Sequence, residues 1–270
     1  MASALRYAIR GGAAGRERLR VLARVLQPYT DAFFSQIGIG AGMTCLDVGC
    51  GGGDVTFALA RRVGPSGWVM GVDLDAEKLE LARKEAAEMG LTNVRFVRRD
   101  VREKSLEDRF DVVYARFLLS HLADPLYAAQ WLFAHTPPGG VVAIEDVDFA
   151  GHVVSPPSEA FDRYVELYEA VVRRRGGDPR LAPRLPRLLL DAGLEEVNVS
   201  IVQPVALRGD AKRLNPLTMA NIADAVIQDG LTSSDDVDRL VTELSAYAED
   251  PSTLAGLPRI VQTWGRRPLS

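Results

Sequence analysis

The residues best placed to do chemistry are a run of glycines framed by acids. The run extends from Gly49 to Gly53, with Asp47 before it and Asp54 directly after it. Glycine lets the backbone adopt positive φ angles and approach a ligand closely. Asp73 stands 20 positions after Gly53, at the end of the second predicted strand, where an acid can accept hydrogen bonds from ribose hydroxyls. Together these residues indicate a ribose-bearing ligand.

The charge of this turn favours a cationic ligand over a diphosphate. A pyrophosphate binds a helix N-terminus that has free N–H groups and no nearby carboxylate, whereas Asp47 and Asp54 flank the turn. The dinucleotide pattern G-x-G-x-x-G, started at Gly49, would also require glycine in place of Asp54. A NAD-linked oxidoreductase remains an alternative that conflicts with both acids. A sulfonium nucleoside such as S-adenosylmethionine carries positive charge that the acids would stabilise.

The elements that must position these residues alternate along the chain. Short apolar runs that end at glycine or aspartate predict five buried strands, separated by helices of suitable length. The alternation indicates a doubly wound α/β sheet. Two later runs add strands, so the sequence predicts a seven-stranded, mostly parallel sheet. The predicted strands are Met43–Val48, Trp68–Val72, Val94–Val97, Phe110–Tyr114, Gly140–Asp146, Val197–Val202 and Arg259–Trp264.

The remaining segments are predicted to be helical and to build a substrate pocket. Residues 1–40 are expected to form a lid of helices interrupted at Pro28, followed by one domain over residues 41–270 with insertions at about 150–185 and 205–257. These segments supply apolar and aromatic candidates for the pocket, which favours a largely apolar organic acceptor. The candidates are Phe33, Phe34, Phe149, Phe161, Tyr164, Tyr168, Met219 and Ile222.

The bulk composition excludes several classes of protein. With 47% hydrophobic and 25% charged residues, neither a disordered nor a fibrous chain is expected. A net charge of −4 argues against a nucleic-acid binder, so the expected partner is a small molecule. No stretch resembles a secretory signal or a membrane span, which predicts a cytoplasmic protein. Cys45 and Cys50 are expected to be small buried residues, and the oligomeric state, including a homodimer, stays open.

Several segments resemble a known family. The stretches LDVGCGGGDVTFALA, GVDLDAEKLELAR and VRFVRRDV are similar to successive cofactor motifs of class I S-adenosylmethionine-dependent methyltransferases, and most similar to the ubiquinone/menaquinone-biosynthesis type. The stretches FDVVYARFLLSHLADP and PPGGVVAIED resemble the fourth and fifth strands of that family. The resemblance covers residues 40–150 well. It implies a Rossmann-like fold and O- or C-methylation of a small molecule.

The resemblance also implies a cofactor-binding role for individual residues. Asp47 and the backbone of Gly49 and Gly51 would face the methionine part, with a backbone contact from Arg116 and with Phe117 as a wall. Asp73 would hold the ribose.

The adenine would lie along Leu74, with its amino group donating to Asp100 beside the Val101 backbone. A protein that binds this cofactor without transferring a methyl group is a further alternative, because a fold does not determine a function.

Other polar residues have both a functional and a structural interpretation. His121, after the fourth strand, could accept a proton from the acceptor or simply pack there. His135 and His152 are weaker candidates, and the three histidines have no metal-ligand spacing, so no metal is proposed. Three acids at the end of the fifth strand could face the substrate, and two tyrosines of the first segment could close over it. These residues are Glu145, Asp146 and Asp148, and Tyr7 and Tyr29.

Overall fold

The described residues form two sheets. The computed structural model describes residues 12–101 and 106–270. One sheet has seven strands in the order β3-β2-β1-β4-β5-β9-β6, and the other pairs β7 with β8. The strands from β3 to β5 in that order are parallel, whereas β9 is antiparallel to β5 and β6. The strands are β1 Thr44–Val48, β2 Trp68–Asp73, β3 Val94–Arg98, β4 Val112–Arg116, β5 Val141–Asp148, β6 Glu195–Val202, β7 Val205–Ala206, β8 Ala255–Gly256 and β9 Arg259–Arg266.

Helices cover both faces of the large sheet and its carboxyl edge. They are α1 Gly12–Gln36, α2 Asp54–Val63, α3 Ala76–Glu88, α4 Pro125–Ala134, α5 Glu159–Arg174, α6 Leu185–Asp191, α7 Asp210–Gln228 and α8 Ser234–Glu249, with 3-10 turns at Leu119–His121 and Ala182–Arg184. The predicted doubly wound, seven-stranded and mostly parallel sheet is therefore confirmed. The short pairing of β7 with β8 was not predicted, because two-residue strands leave no periodic pattern.

The central strand β1 shows why the sheet is buried on both faces. Its side chains alternate, so Leu46 and Val48 join the cluster that contains residues of α4 and α6. Cys45 points to the opposite face, where it packs in a cluster with Phe33 of α1 and Val63 of α2. A parallel strand covered on both sides is expected to be apolar throughout. Asp47 is the exception in β1, and its burial needs a separate explanation.

A group of helices outside the sheet forms a second core, which we call the cap. The cap comprises α5, α7 and α8, and the first half of α1 packs against it. Tyr164, Met219 and Leu240 are among its buried side chains. The cap lies within the two segments that the sequence predicts as insertions. None of the helices in the described ranges is long and apolar enough to cross a bilayer.

Helix α1 corrects one prediction. It runs as a single helix of 25 residues through Pro28, so the expected interruption there is wrong. A proline inside a helix costs about 3 kcal/mol because it removes one hydrogen bond and crowds the preceding turn. Burial of Leu22 and Leu26 before it and of Phe33 and Phe34 after it offsets that cost, since each buried side chain of this size contributes roughly 1.5–3 kcal/mol.

Candidate functional site

The glycine turn lies where β1 passes into α2, at the carboxyl edge of the sheet. Gly49, Gly51 and Gly53 have φ angles of +73°, +54° and +85°, in the left-handed region that side chains with a Cβ rarely adopt. The Gly49 and Cys50 amides both donate to the carbonyl of Val72, at 2.8 and 3.0 Å. The turn is thereby fixed against β2, and its open side faces a cavity.

Asp47 is a buried carboxylate beneath this turn. The hydroxyl of Thr56 donates to its Oδ2 at 2.6 Å. Burial raises the pKa of Asp47 to about 6, while Thr56 and Arg116 act in the opposite direction and Asp73 adds to the rise. A buried carboxylate without a full counter-charge is costly. A cation in the adjoining cavity would therefore stabilise Asp47.

Asp73 ends β2 and is oriented by two backbone donors. Its Oδ2 accepts from the Gly51 amide at 2.8 Å, and its Oδ1 accepts from the Asp75 amide at 2.9 Å. Asp75, and not Asp73, caps α3, because its side chain accepts from the amides of Glu77 and Lys78. The carboxylate of Asp73 consequently stays at the cavity wall.

Asp54 does not have the role that the sequence argument gave it. Its carboxylate forms a two-pronged ion pair with the guanidinium of Arg16, which also donates to Glu85 at 2.9 and 2.5 Å. Arg20 reaches the same Glu85 at 2.8 Å. The sequence argument used Asp54 as one of two acids that suit a cationic ligand. Asp54 lines the cavity, but Arg16 already pairs with its charge.

Arg16 also lies directly over the glycine turn. A Cβ built on Gly52 would stand 2.7 Å from Arg16 Nη1, and one on Gly51 would be 3.6 Å from Leu19. The first half of α1 thus lies over the turn, while its second half belongs to the core. Tyr7, one of the two tyrosines of that segment that were expected to close over the substrate, lies outside the described residues.

One continuous cavity of about 420 Å³ joins the turn to the cap. The nine residues given a cofactor-binding role by the resemblance, and His121, all line this cavity. They are Asp47, Gly49, Gly51, Asp73, Leu74, Asp100, Val101, Arg116, Phe117 and His121. Leu74 is 47% exposed, so its side chain leaves a surface open to a flat ligand.

The end of β4 carries a strained residue. Phe117 has a φ angle of +53°, which costs a bulky residue about 1–3 kcal/mol. Its amide donates to the Glu145 carbonyl at 2.8 Å, and Arg116 is held by a 3.1 Å hydrogen bond from Nη1 to Thr30. This conformation turns the chain across the cavity beside Gly49, where Leu118 lies 3.1 Å from the position of a Cβ on that glycine.

The cap side of the cavity is mostly apolar and aromatic. Of the eight predicted pocket residues, Phe149, Tyr164 and Tyr168 line it. Phe149 stacks on Tyr168 with ring centroids 3.6 Å apart. The other five pack elsewhere in the two cores and are corrections to the prediction: Phe33, Phe34, Phe161, Met219 and Ile222.

His121 lines the cavity from the 3-10 turn after β4. Burial, together with the positive charges of Arg18 and Lys78, lowers its pKa to about 4. The ring is therefore neutral near pH 7. A neutral imidazole can accept a hydrogen bond or a proton, but a pKa this low makes it a weak base.

The acids at the end of β5 have structural partners and do not line the cavity. Tyr114 and Gln262 donate to Glu145. Asp146 accepts from the amide of Ser120 at 2.9 Å, and Asp148 lies 3.5 Å from Arg259. The prediction that these acids face the substrate is wrong.

The other histidines and the cysteines are also structural. His135 Nε2 accepts from the Leu106 amide at 2.7 Å, and the ring of His152 packs against aromatic rings of the cap. Cys45 and Cys50 are buried free thiols, as predicted. The residues that the structure describes contain no cluster of His, Cys, Asp and Glu suited to a metal ion.

Several cavity residues have no signal in the sequence. Arg18 of α1 donates from Nε to the hydroxyl of Thr218 at 3.0 Å, and Asn215 lies one turn before Thr218 on α7. Both α7 residues line the cavity. The spacing of three residues puts them on one helix face, yet only the docking of α7 onto α1 shows that this face turns inward.

Fold and site together define a class of protein. An α/β sheet of this strand order, with a glycine turn at the end of β1 and an acid at the end of β2, is a Rossmann-like domain. Domains of this class generally bind ligands at the switch point, which lies here between β1 and β4.

The family model described as "Methyltransferase domain" matches residues 39–172. Residues 39–172 thus match a methyltransferase domain, and part of the chain is similar to a methyltransferase of quinone biosynthesis.

Curated relatives match over part of their length. The demethylmenaquinone methyltransferase of Staphylococcus aureus strain JH9 is 39% identical over 107 residues, which are 39% of this chain and 44% of that protein. Strain Newman gives the same figures. The match thus spans less than half of these relatives.

Solved structures share the fold along most of the chain. The [4+2]-cyclase SpnF is 21% identical, with a TM-score of 0.55 over 90% of this chain and 82% of that one. Phosphoethanolamine N-methyltransferase 2 of Haemonchus contortus, in complex with S-adenosyl-L-methionine, is 18% identical, with a TM-score of 0.58 over 93% of this chain and 57% of that one.

Proposed function

We propose that the protein transfers a methyl group from S-adenosylmethionine to a small, largely apolar organic acceptor, at oxygen or carbon. One observation carries the proposal: the carboxylate-framed glycine turn and the aromatic wall of the cap open into the same cavity. A donor and an acceptor held in one enclosed space can react by in-line displacement, and holding them there lowers the entropic barrier.

The cofactor would occupy the sheet side of the cavity. Its charged methionine end would face Asp47, a buried carboxyl whose pKa is raised mainly by burial. The left-handed turn at Gly49 and Gly51 leaves no Cβ between backbone and ligand.

The nucleoside would extend along the ends of β2 and β3. Asp73 would accept from the ribose hydroxyls, and the adenine would lie on Leu74, with Asp100 and the Val101 backbone at its edge. The Arg116 backbone and Phe117 would close the methionine end.

The protein's own contribution would be mainly orientation. When bound, the cofactor supplies a methyl group on a positively charged sulfur that needs no further activation as a leaving group. The apolar cap would hold the acceptor and exclude water. His121, neutral near pH 7, would accept a hydrogen bond from an acceptor hydroxyl, and its low pKa argues that it orients the acceptor more than it removes a proton.

A second candidate keeps the cofactor but not the transfer. The same fold occurs in a protein described as a [4+2]-cyclase over 90% of this chain, so the fold alone does not define the reaction. That candidate predicts cofactor binding without formation of S-adenosylhomocysteine.

The cofactor site is tested with Asp73→Asn, because asparagine keeps one acceptor oxygen but loses the charge. We expect calorimetry to show S-adenosylmethionine binding weakened by roughly 10- to 100-fold, the effect of losing a charge-assisted hydrogen bond, with little change in melting temperature. Asp191→Asn, at the exposed end of α6, is the matched control and should bind normally. Unchanged affinity in Asp73→Asn, or tighter binding of NAD by the wild type, would contradict the assignment.

The reaction is tested with methyl-labelled S-adenosylmethionine and a reduced 1,4-naphthoquinone. This acceptor is chosen because the curated relatives are described as demethylmenaquinone methyltransferases. Label in the quinol fraction, detected by mass spectrometry, is the expected result. Bound cofactor that yields no labelled product with quinol or phenol acceptors would favour the second candidate.

A further inference from the structure

The lining of the cavity is divided by charge. The carboxylates that line it all come from segments at the ends of β1, β2 and β3: Asp47, Asp54, Asp73, Asp75 and Asp100. The side built by α5 with Arg175 at its end, by α7 and by the segment after β5 contributes aliphatic, aromatic and neutral polar side chains and one cation. None of its described lining residues is an acid. A cation bound on the sheet side would thus adjoin a chamber with no negative lining group.

Arg18 supplies a positive charge to this chamber. It is half-buried in the cavity wall, and its Nε donates to Thr218 Oγ1 at 3.0 Å. Thr218 Oγ1 in turn donates to the Leu214 carbonyl at 2.6 Å, which fixes the contact. Within the described ranges the two Nη groups of Arg18 donate to no residue, and no carboxylate pairs with the guanidinium. Within the described part of the chain, one edge of the guanidinium is therefore anchored and the other faces no protein acceptor.

Three other cations of the cavity have partners among the described residues. Lys78 lies 3.7 Å from Asp75, and Arg175 lies 3.7 Å from Asp229. Arg116 donates to Thr30, and Arg99 belongs to the loop beside Asp100 on the cofactor side. Arg18 is thus the cation that α1 places against α7, on the acceptor side.

The field of Arg18 reaches the polar groups around it. Burial raises the pKa of Tyr164 and Tyr168, and the positive charge of Arg18 opposes both rises. Asp146 adds to the rise of Tyr168 from beneath the wall. Arg18 also contributes to the lowered pKa of His121. An acidic group of a ligand in this chamber would experience the same positive charge.

We propose that Arg18 binds an anionic oxygen of the methyl acceptor, a phenolate or a carboxylate attached to an apolar ring. A guanidinium held at one edge presents its remaining donors in the geometry that such oxygens accept. Calling this ligand the methyl acceptor rests on the proposed function, but the anion site itself does not depend on methyl transfer. It makes Arg18 a specificity residue and predicts that neutral analogues are rejected.

The test compares probes of matched shape that differ in charge. Binding of 2-naphthoate, 2-naphthamide and 2-naphthol is measured by calorimetry, with and without S-adenosylhomocysteine, and the absorbance of 2-naphthol shows whether it binds as the anion. We expect the wild type to bind 2-naphthoate or the naphtholate at least about tenfold more tightly than the amide. A preference for 2-naphthoate would identify the bound group as a carboxylate, and a preference for the naphtholate would identify it as a phenolate.

Variants of Arg18 separate ligand binding from helix docking. Arg18→Met should abolish the preference, Arg18→Lys should keep part of it, and Arg24→Met, which removes an exposed cation from the same helix, should keep all of it. S-adenosylhomocysteine affinity should stay within about twofold in each folded variant. Equal binding of acid and amide by the wild type, no binding of any probe, or an unchanged preference in Arg18→Met would each overturn the proposal. Loss of cofactor binding in the wild type would instead refute the proposed function, since probe preference is also measured without cofactor.

Discussion

At the level of single residues, Asp47 would link the local folding of β1 to the proposed cofactor binding. Its neighbours are Thr56, which donates to it, Arg116, which lowers its pKa, and Asp73, which raises it. With a pKa of about 6 the carboxyl is charged above pH 6 and increasingly neutral below it. A cationic ligand binds the charged form better, so binding must lower this pKa and must itself depend on pH.

We therefore predict that S-adenosylmethionine affinity falls as the pH drops through 6, by up to about tenfold per pH unit below it. Calorimetry between pH 5 and 8 measures this slope. Asp47→Asn, which cannot ionise, should bind weakly at every pH and should lack the step near pH 6. A wild-type profile that runs parallel to that of the variant would show that Asp47 does not contribute charge to binding.

Phe117 shows a different relation between a residue and the site. Its left-handed backbone is strained, and such strain persists only where the surrounding structure enforces it. Here the Glu145 carbonyl holds the Phe117 amide, while Tyr114 and Gln262 fix the Glu145 side chain. The buried acid that the sequence suggested as a substrate contact thus supports the cavity wall from behind.

At the level of elements, the contact of α1 with the glycine turn is expected to control access to the site. Arg16 is 7% exposed and joins Asp54 at the start of α2 to Glu85 near the end of α3. Arg20 also reaches Glu85 but is 50% exposed. A buried partner is worth far more than an exposed one, because its loss leaves carboxylates unpaired in a poorly solvated place.

Arg16→Met should therefore destabilise the protein by about 3–5 kcal/mol and speed cofactor release at least tenfold, because α1 would no longer be held over the turn. Thermal unfolding and stopped-flow displacement of S-adenosylhomocysteine measure the two effects. Arg20→Met is the matched control and should cost at most about 1 kcal/mol. If both variants release the cofactor at the wild-type rate, α1 does not control access to the site.

The elements that the sequence predicted well are those with local signals. The runs that became β1 to β5 are mostly apolar and end at or beside polar or glycine residues, so their positions followed from the sequence to within about two residues. The turn at Gly49 and the cap at Asp75 likewise depend on local backbone chemistry. Local signals failed at Pro28, where packing on both sides of the proline outweighed its cost.

Ion pairs between residues that are far apart in the sequence could not be predicted from local sequence patterns. The pairing of Asp54 with Arg16 joins two elements 38 residues apart, and nothing in either segment indicates it. The acids of β5 were wrongly assigned to the substrate side for a related reason. Strand β5 has a neighbouring strand on each side and helices on both faces, so its sequence contains no pattern that shows which residues face a ligand. The roles of Arg18 and Thr218, 200 residues apart, depend on the docking of α7 and likewise left no trace.

At the scale of the whole molecule, the candidate site lies between two hydrophobic cores, that of the sheet and that of the cap. The sheet presents the acids and the glycine turn, and the cap presents an acid-free apolar wall. The cavity exists only while the cap is docked, so residues that stabilise the cap should affect the acceptor side without touching it. Lys212 is such a residue, because it is fully buried at the start of α7 and lies outside the cavity lining.

The ammonium of Lys212 ties both ends of the α7–α8 pair together. Its Nζ donates to the carbonyls of Leu207, Asp250 and Thr253 at 3.1, 2.7 and 2.9 Å, and lies 2.6 Å from the Thr253 hydroxyl. Lys212→Met keeps the aliphatic stem but leaves these acceptors without a donor. Each buried acceptor left unpaired costs about 1–3 kcal/mol, so the cap should loosen while the sheet stays folded.

We predict that Lys212→Met increases amide hydrogen exchange in α7 and α8 and weakens naphthoate binding at least tenfold, but changes S-adenosylhomocysteine affinity by less than about threefold. Lys84→Met, on the exposed face of α3, should change none of the three. Equal loss of both ligands would mean that cap and sheet unfold as one unit, and the division of the cavity into a cofactor side and an acceptor side would then have no counterpart in the energetics of the fold.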